Sequence, residues 1–161
     1  MSELRLRFLG SGDAFGSGGR FFPGSARVAR HFALEFLELP ERVPSRLGPA
    51  VVTPFAVVHA SGAPAYALRV EYGGRLIAYS GDTEWTESLV DVARGADVFV
   101  CEPYFFEVRY HLDYRTLRAE RARLECARLV LTHMSNDMLA RLDEVDVEAA
   151  EDGRVITLTT T

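Results

Sequence analysis

Three polar side chains of this 161-residue chain each follow directly after a strand-like run. His59 lies in VVHASG, Asp82 in YSGDTEW and His133 in LVLTHMS. In layered α/β proteins the loops at strand ends commonly carry function. Imidazoles combined with a carboxylate are suitable ligands for Zn²⁺ and related ions. The pattern therefore predicts a metal site assembled from strand ends.

Each of these residues also has an ordinary structural interpretation when taken alone. A single histidine after a strand commonly serves as a hydrogen-bonding group, and an SGDT turn commonly caps a helix. Their joint arrangement is what favours chemistry. His31 is interpreted as an exposed or capping histidine rather than a replacement ligand, and Asp13 as a residue that orders its glycine-rich loop.

The elements that must position these residues change in character along the chain. Alternating apolar residues predict strands, and apolar residues at helical spacing predict helices. Helices are expected in TEWTESLVDVARG, with Thr83 as cap and Gly95 at its end, in the arginine-rich DYRTLRAERARLECA, and in SNDMLARL with Ser135 as cap. The predicted strands are LRLRFLG, FALEFLEL, AVVTPFAVVHA, AYALRV with RLIAYS as a hairpin, ADVFVCEP, RLVLTH and GRVITLTT. Hairpins followed by strand–helix alternation predict one α/β domain over residues 1–161, with a mixed sheet covered by helices.

Composition indicates which binding partners and which cellular compartment the protein is expected to have. The formal net charge of −5 disfavours a generic electrostatic grip on nucleic acid. Cys101 and Cys126 form no CxxC motif, which is typical of reduced thiols in a cytoplasmic protein. The sequence MSELRLRFLG lacks the apolar run of a signal peptide, and no stretch approaches the roughly 18 apolar residues that span a membrane. We expect a cytoplasmic protein without a membrane partner.

The chain resembles the metallo-β-lactamase fold superfamily, especially its ribonuclease Z-like branch of phosphodiesterases. FLGSGDAFGSGGR is similar to the first strand and glycine loop of such proteins, and the stretch from VVHASG to VFVCEP is similar to the region of their third and fourth metal motifs. YHLDYRTL resembles the segment with a histidine that assists catalysis, and LVLTHMS resembles the fifth motif. The resemblance implies an αββα sandwich.

The resemblance also implies roles for individual residues. His59 would be a ligand of one metal ion, Asp82 would bridge two ions, and His133 would be a ligand of the second. His111 would donate a proton to the leaving group or stabilise the charge that develops on the phosphorane. Two ions about 3.5–4 Å apart can share a hydroxide that attacks the phosphorus and can stabilise the leaving oxygen.

One motif of the family is absent from the chain. HxHxDH, which supplies most of the metal ligands, does not occur, and several strands and a helix are missing near the Phe21–Phe22 junction. Either the native protein has further residues at this junction and binds two ions, or the deletion is real. A real deletion would leave His59, Asp82 and His133 to hold one ion weakly or none. It would also expose apolar faces, so we would then expect a homodimer.

Two functions follow from these alternatives. The first is a metal-dependent hydrolase that uses Zn²⁺ or Mn²⁺ on a small cyclic or linear phosphodiester or on RNA, with the acidic net charge favouring a small substrate. The second is a truncated, catalytically inactive remnant that acts as an oligomeric or partner-binding module.

Overall fold

The computed structural model describes residues 3–8, 37–60, 63–107 and 110–159 of the chain. The predictions for Asp13, His31 and the Phe21–Phe22 junction lie outside these residues. Within the described ranges, no helix has the length and apolar character needed to cross a membrane.

The described chain forms one large mixed sheet and one small antiparallel sheet. The strands are β1 (Glu3–Arg7), β2 (Ser45–Leu47), β3 (Ala50–Val57), β4 (Ala65–Tyr72), β5 (Arg75–Tyr79), β6 (Val98–Cys101), β7 (Leu129–Leu131), β8 (Glu148–Ala149) and β9 (Val155–Thr159). The large sheet has the order β2-β3-β4-β5-β6-β7-β8, and β1 pairs with β9. Pairing is antiparallel from β2 to β5 and parallel from β5 to β8.

Three short helices connect the strands of the parallel half. They are α1 (Glu87–Ala93), α2 (Tyr114–Glu120) and α3 (Asn136–Leu139). Ser135 caps α3 as predicted, its hydroxyl accepting from the Met138 amide. The prediction that Thr83 caps α1 is wrong, because Thr86 does so by accepting a hydrogen bond from the Ser88 amide. The arginine-rich helix is shorter than expected, since α2 gives way to a 3-10 turn at Arg121–Arg123.

The period-two alternation of β6 and β7 separates two apolar clusters on opposite faces of the sheet. Phe99 and Cys101 belong to the larger cluster, which also contains Leu89 and Val92 of α1. Val98 and Val100 belong to a smaller cluster on the other face, with apolar residues of the β1–β9 sheet. The predicted layered α/β arrangement is therefore confirmed, with helices on one face and the small sheet on the other.

The predicted hairpin is also confirmed. Gly73 and Gly74 have φ values of +57° and +72°, and they join β4 to β5. A two-residue turn with positive φ at both positions matches the twist of the flanking strands, which explains the glycine pair. Pro54, predicted at an edge or bulge, lies in β3 beyond the three residues that β2 pairs. Its carbonyl accepts from the Arg42 amide on the side away from β4, so its missing N–H leaves no gap in the β3–β4 ladder.

The second strand of the sequence-based prediction finds no support where it can be tested. Leu37–Leu39 of FALEFLEL is not a strand, and the earlier residues of that run lie outside the described ranges. The segment after Leu39 contacts β3 through a side chain. The Glu41 carboxylate accepts from the Ala56 amide at 3.4 Å.

Candidate metal centre

Five strands of the large sheet, β3, β5, β6, β7 and β8, end at one edge, and the first four are followed by ionisable side chains that lie close together. β3 and β5 run in the same direction because both are antiparallel to β4, and β6 and β7 are parallel to β5. Their carboxyl ends therefore meet. The residues that follow them are His59 after β3, Asp82 after β5, Glu102 after β6 and His133 after β7. His111, from the loop before α2, joins this group.

The carboxylate of Asp82 lies at the centre of the group. Its Oδ2 is 4.0 Å from Nε2 of His59 and 3.6 Å from Nε2 of His133. Nε2 of His133 is also 3.8 Å from Oε2 of Glu102. The three residues predicted to be metal ligands are thus brought together by the fold.

His111 and Glu102 form the closest pair in the group. Nδ1 of His111 is 3.1 Å from Oε1 and 3.0 Å from Oε2 of Glu102. The Glu102 side chain is only 1% exposed, and its Oε1 also accepts from the Thr83 amide at 2.5 Å. Burial raises the pKa of Glu102 to about 9, and burial lowers the pKa of His111. In the protein without metal, burial thus favours the uncharged form of both groups, the protonated Glu102 carboxyl and the neutral His111 imidazole.

The imidazole of His59 is oriented from behind by the backbone of a neighbouring loop. Its Nδ1 is 3.3 Å from the Tyr110 carbonyl oxygen, which leaves Nε2 on the side of Asp82. The Glu84 amide donates to the Val58 carbonyl at 2.7 Å, so the loop with His59 is joined to the loop with Asp82. A carbonyl that accepts from the far nitrogen of an imidazole is a usual device for orienting a metal-binding histidine.

Strained backbone is concentrated around the site. Among the described residues, three that are not glycine have positive φ, and two of them are Tyr110 at +77° and His133 at +56°. Gly81 in the SGDT turn has a φ of +62°, and a Cβ there would lie 2.7 Å from the Tyr66 carbonyl oxygen. Such conformations cost free energy and persist where the surrounding structure enforces them. Glycine is required before Asp82 because both the torsion angle and the close approach exclude a side chain.

The donor atoms fit a divalent ion. One ligand atom each from Asp82, His111 and His133 lies within 4.8 Å of the others, and this trio is partly buried. Two imidazoles and one carboxylate are a donor set that Zn²⁺ accepts, and Mn²⁺ also binds such ligands. His59 lies at the edge of the same group, so the fold provides up to four candidate ligands.

The sequence interpretation missed Glu102. The signal was present, because Glu102 directly follows the fully buried strand β6, as Asp82 and His133 follow β5 and β7. The rule that identified the other two residues therefore also applies to VFVCEP. The Tyr110 carbonyl could not have been found in this way, since a backbone atom carries no signal in the residue type.

Comparisons with known sequences relate the chain to one protein family. A family model described as "Beta-lactamase superfamily domain" matches residues 20–134. The uncharacterized protein ML1173 of Mycobacterium leprae is 34% identical over 97 residues, which is 56% of this chain and 34% of that protein. Ribonuclease Z of Anoxybacillus flavithermus is 36% identical over 85 residues, which is 48% of this chain and 27% of the enzyme. The chain thus spans about a third of the length of the first relative and about a quarter of the length of the second.

Solved structures share the fold at low sequence identity. The metallo-beta-lactamase fold protein YhfI from Bacillus subtilis matches with a TM-score of 0.59 and 21% identity, covering 73% of this chain and 54% of YhfI. Zn²⁺-bound PqqB from Methylobacterium extorquens matches with a TM-score of 0.60 and 18% identity, covering 74% of this chain and 55% of PqqB. A diphosphatase of the PhnP family matches with a TM-score of 0.61 and 17% identity, covering 75% of this chain and 48% of the diphosphatase.

Proposed function

Since the chain belongs to the beta-lactamase superfamily, we propose that it is a divalent-metal-dependent hydrolase of phosphodiester bonds, using Zn²⁺ or Mn²⁺. The observation that carries this proposal is the meeting of His59, Asp82 and His133 at one sheet edge, beside the buried Glu102–His111 pair. Perturbed ionisable groups gathered at strand ends are typical of catalytic centres. The similarity to ribonuclease Z and to a PhnP-family diphosphatase supports phosphoester chemistry.

We assign His59, Asp82 and His133 to metal binding. Asp82 can serve two ions because a carboxylate offers two oxygens, and two ions are expected if the native protein supplies the HxHxDH segment. Without that segment, the three residues would hold one ion weakly or none. A divalent ion supplies Lewis-acid activation of a phosphoryl oxygen and makes water a better nucleophile.

His111 is the proton donor in this proposal. Its Nδ1 faces Glu102, so Nε2 is the nitrogen left for substrate. When Nε2–H protonates the leaving oxygen, Nδ1 can accept the proton held by Glu102, and the imidazole remains neutral. The Thr83 amide, which donates to Oε1, then stabilises the new carboxylate.

The favoured substrate is a small cyclic or linear phosphodiester. The formal net charge of −5 and the acidic side chains at the site oppose a long polyanion such as RNA. RNA is the second candidate, and the similarity to ribonuclease Z is the observation that favours it.

A homodimer and a cytoplasmic location belong to the same proposal. Tyr66 and Tyr72 of β4 and Tyr79 of β5 are about 40% exposed, at 41%, 42% and 39%. Large exposed aromatic side chains on one sheet favour association with a second copy. Both cysteines are free thiols, which is consistent with a reducing compartment. Sedimentation equilibrium would detect the dimer, and a monomer at all concentrations would contradict it.

The test begins with the purified protein stripped by a chelator. We expect Zn²⁺ or Mn²⁺ to bind and to restore hydrolysis of bis(p-nitrophenyl) phosphate and of cyclic nucleotides, with slower cleavage of RNA. Binding of the ion without hydrolysis of any of these substrates would favour the inactive, partner-binding remnant. Failure to bind either ion would contradict the metal centre itself.

A further inference from the structure

Tyr104 connects the two loops that carry His111 and His133. Its amide donates to the Leu112 carbonyl at 2.9 Å, next to His111. Its carbonyl accepts from the Ser135 amide at 3.0 Å, two residues beyond His133. One residue thus fixes the backbone on both sides of the imidazole pair.

The ring of Tyr104 also contacts both imidazoles. Its centroid is 4.6 Å from that of His111, with planes 28° apart, and 5.2 Å from that of His133, with planes 35° apart. The two imidazoles lie 5.7 Å apart with planes 27° apart. The planes of the three rings are thus 27–35° apart, and the Tyr104 ring is a neighbour that both imidazoles share.

The Tyr104 ring is packed against a neighbouring aromatic ring, and the backbone of His133 is in a conformation that requires stabilising contacts. The Phe105 ring meets the Tyr104 ring edge to face, at 4.4 Å and 89°. His133 has a φ of +56°, a conformation that a histidine adopts at a cost. The Tyr104 carbonyl stabilises this conformation through its bond to Ser135, and the ring restricts the imidazole.

We propose that Tyr104 is a positioning residue that sets the distance and ring orientation of His133, the proposed ligand, relative to His111, the proposed proton donor, so that the site can accept a divalent ion. This inference rests on the proposed metal centre. It goes beyond that centre by assigning the geometry of the imidazoles to a side chain that is not itself a ligand. Residues that orient ligands typically change metal affinity by about 10–100-fold when they are removed.

The first measurement uses the protein without metal. In the wild type, the imidazole Cε1–H protons of His111 and His133 should show ring-current shifts from Tyr104 in ¹H–¹³C NMR spectra. Tyr104→Leu should remove these shifts, and Tyr104→Phe should keep them because the ring remains. Tyr104→Met removes the ring with a flexible side chain and replaces the leucine variant if that variant does not fold.

The second measurement is Zn²⁺ affinity, determined by competition with a chromophoric chelator. Tyr104→Leu should bind at least about tenfold more weakly, and Tyr104→Phe should match the wild type. Val155→Leu is the control, since this exposed residue lies on β9 of the small sheet and its replacement should leave Zn²⁺ affinity unchanged.

The outcomes separate this inference from the proposed function. Wild-type histidine protons without ring-current shifts, or equal Zn²⁺ affinity in Tyr104→Leu and wild type, would overturn the positioning role. A loss of affinity in Tyr104→Phe as large as in Tyr104→Leu would also overturn it, because the ring would then not be the cause. If the wild type bound no metal, the proposed function would fail, while the NMR shifts would still decide whether Tyr104 orders the imidazoles.

Discussion

The two ends of the large sheet, the β4–β5 turn and the end with the proposed metal site, differ in how closely their charged side chains are paired. At the β4–β5 turn, Arg75 donates to Asp97 at 2.7 Å, and the other oxygen of Asp97 accepts from the Leu76 amide at 2.8 Å. Arg69 donates to three carbonyls at the end of α1, those of Asp91, Val92 and Arg94. Each of these charged groups meets a complementary partner at hydrogen-bond distance.

At the opposite end, Glu102 pairs closely with His111, but Asp82 lies farther from its imidazole neighbours. Asp82 and Glu102 face three imidazoles, and His133 lies 3.6 Å or more from both carboxylates. Two residues there also have left-handed backbone conformations. Holding acidic side chains, imidazoles and strained backbone together in this way costs free energy of folding. At the far end, by contrast, charged side chains stabilise the fold through close hydrogen bonds. The difference teaches that longer distances between ionisable groups and strained backbone, rather than the presence of charged residues, distinguish the proposed metal site from the far end of the sheet.

Replacing Asp82 by Asn should have the largest effect on activity, because it changes the central carboxylate of the proposed metal site. A neutral amide binds cations poorly, and losing outer-shell partners alone costs about 10–100-fold, so loss of this ligand should lower kcat/KM by more than about 100-fold. Metal content, measured by mass spectrometry of the purified protein, should fall as well. Asp97→Asn at the far end is the control and should keep its metal. Unchanged turnover in Asp82→Asn would contradict the assignment of the site.

Replacing His111 by Ala should separate catalysis from metal binding within the same end. Removal of a general acid slows reactions by about 10²–10⁴-fold, so turnover should fall in that range while metal content stays nearly constant. Steady-state kinetics and metal analysis of the same preparation provide both values. Loss of metal in this variant would instead place His111 among the ligands.

Glycine-to-alanine changes at the two ends should differ in size. Gly81→Ala combines a positive φ with a contact at 2.7 Å to the Tyr66 carbonyl, so we expect a loss of about 1–3 kcal/mol in the free energy of unfolding. Gly95, at the end of α1, also has a positive φ, of +71°, but a Cβ there meets nothing within 4 Å. Gly95→Ala should therefore cost only about 1 kcal/mol. Equal losses in urea titrations would mean that the close approach to Tyr66 does not constrain the SGDT turn.

Asp97→Asn should have the smallest effect, and the effect should depend on pH. Burial alone would raise the pKa of Asp97, but hydrogen bonds from the Leu76 amide and the Arg75 side chain outweigh it and lower that pKa below its usual value. The ionised form is thus stabilised by folding. The wild type should exceed the variant in stability by about 1 kcal/mol above pH 4, and the difference should vanish as pH falls through the lowered pKa. A constant difference down to pH 2 would argue against this origin.

Much of the fold and part of the site could be predicted from the sequence, for local reasons. Alternating or continuous runs of apolar residues identified β3 to β7, and Gly73–Gly74 identified the hairpin, because strand faces and turns depend on neighbouring residues. The position of His59, Asp82 and His133 directly after strands was enough to place them at a sheet edge. Thr83 was misassigned, because a turn residue that can cap a helix can equally serve another loop. It is buried, and its amide binds Glu102, which is 19 residues away.

Only the tertiary structure decided which strand ends meet. The antiparallel pairing of β4 on both sides makes β3 parallel to β5, and this brings His59 to the edge that carries Asp82 and His133. The pairing of His111 with Glu102, the orientation of His59 by the Tyr110 carbonyl and the stacking on Tyr104 all join separate loops. The sequence by itself determined which residues could bind a metal ion and which strands they follow. The distances between these residues and the orientations of their rings arise from contacts between separate loops, which no local pattern records.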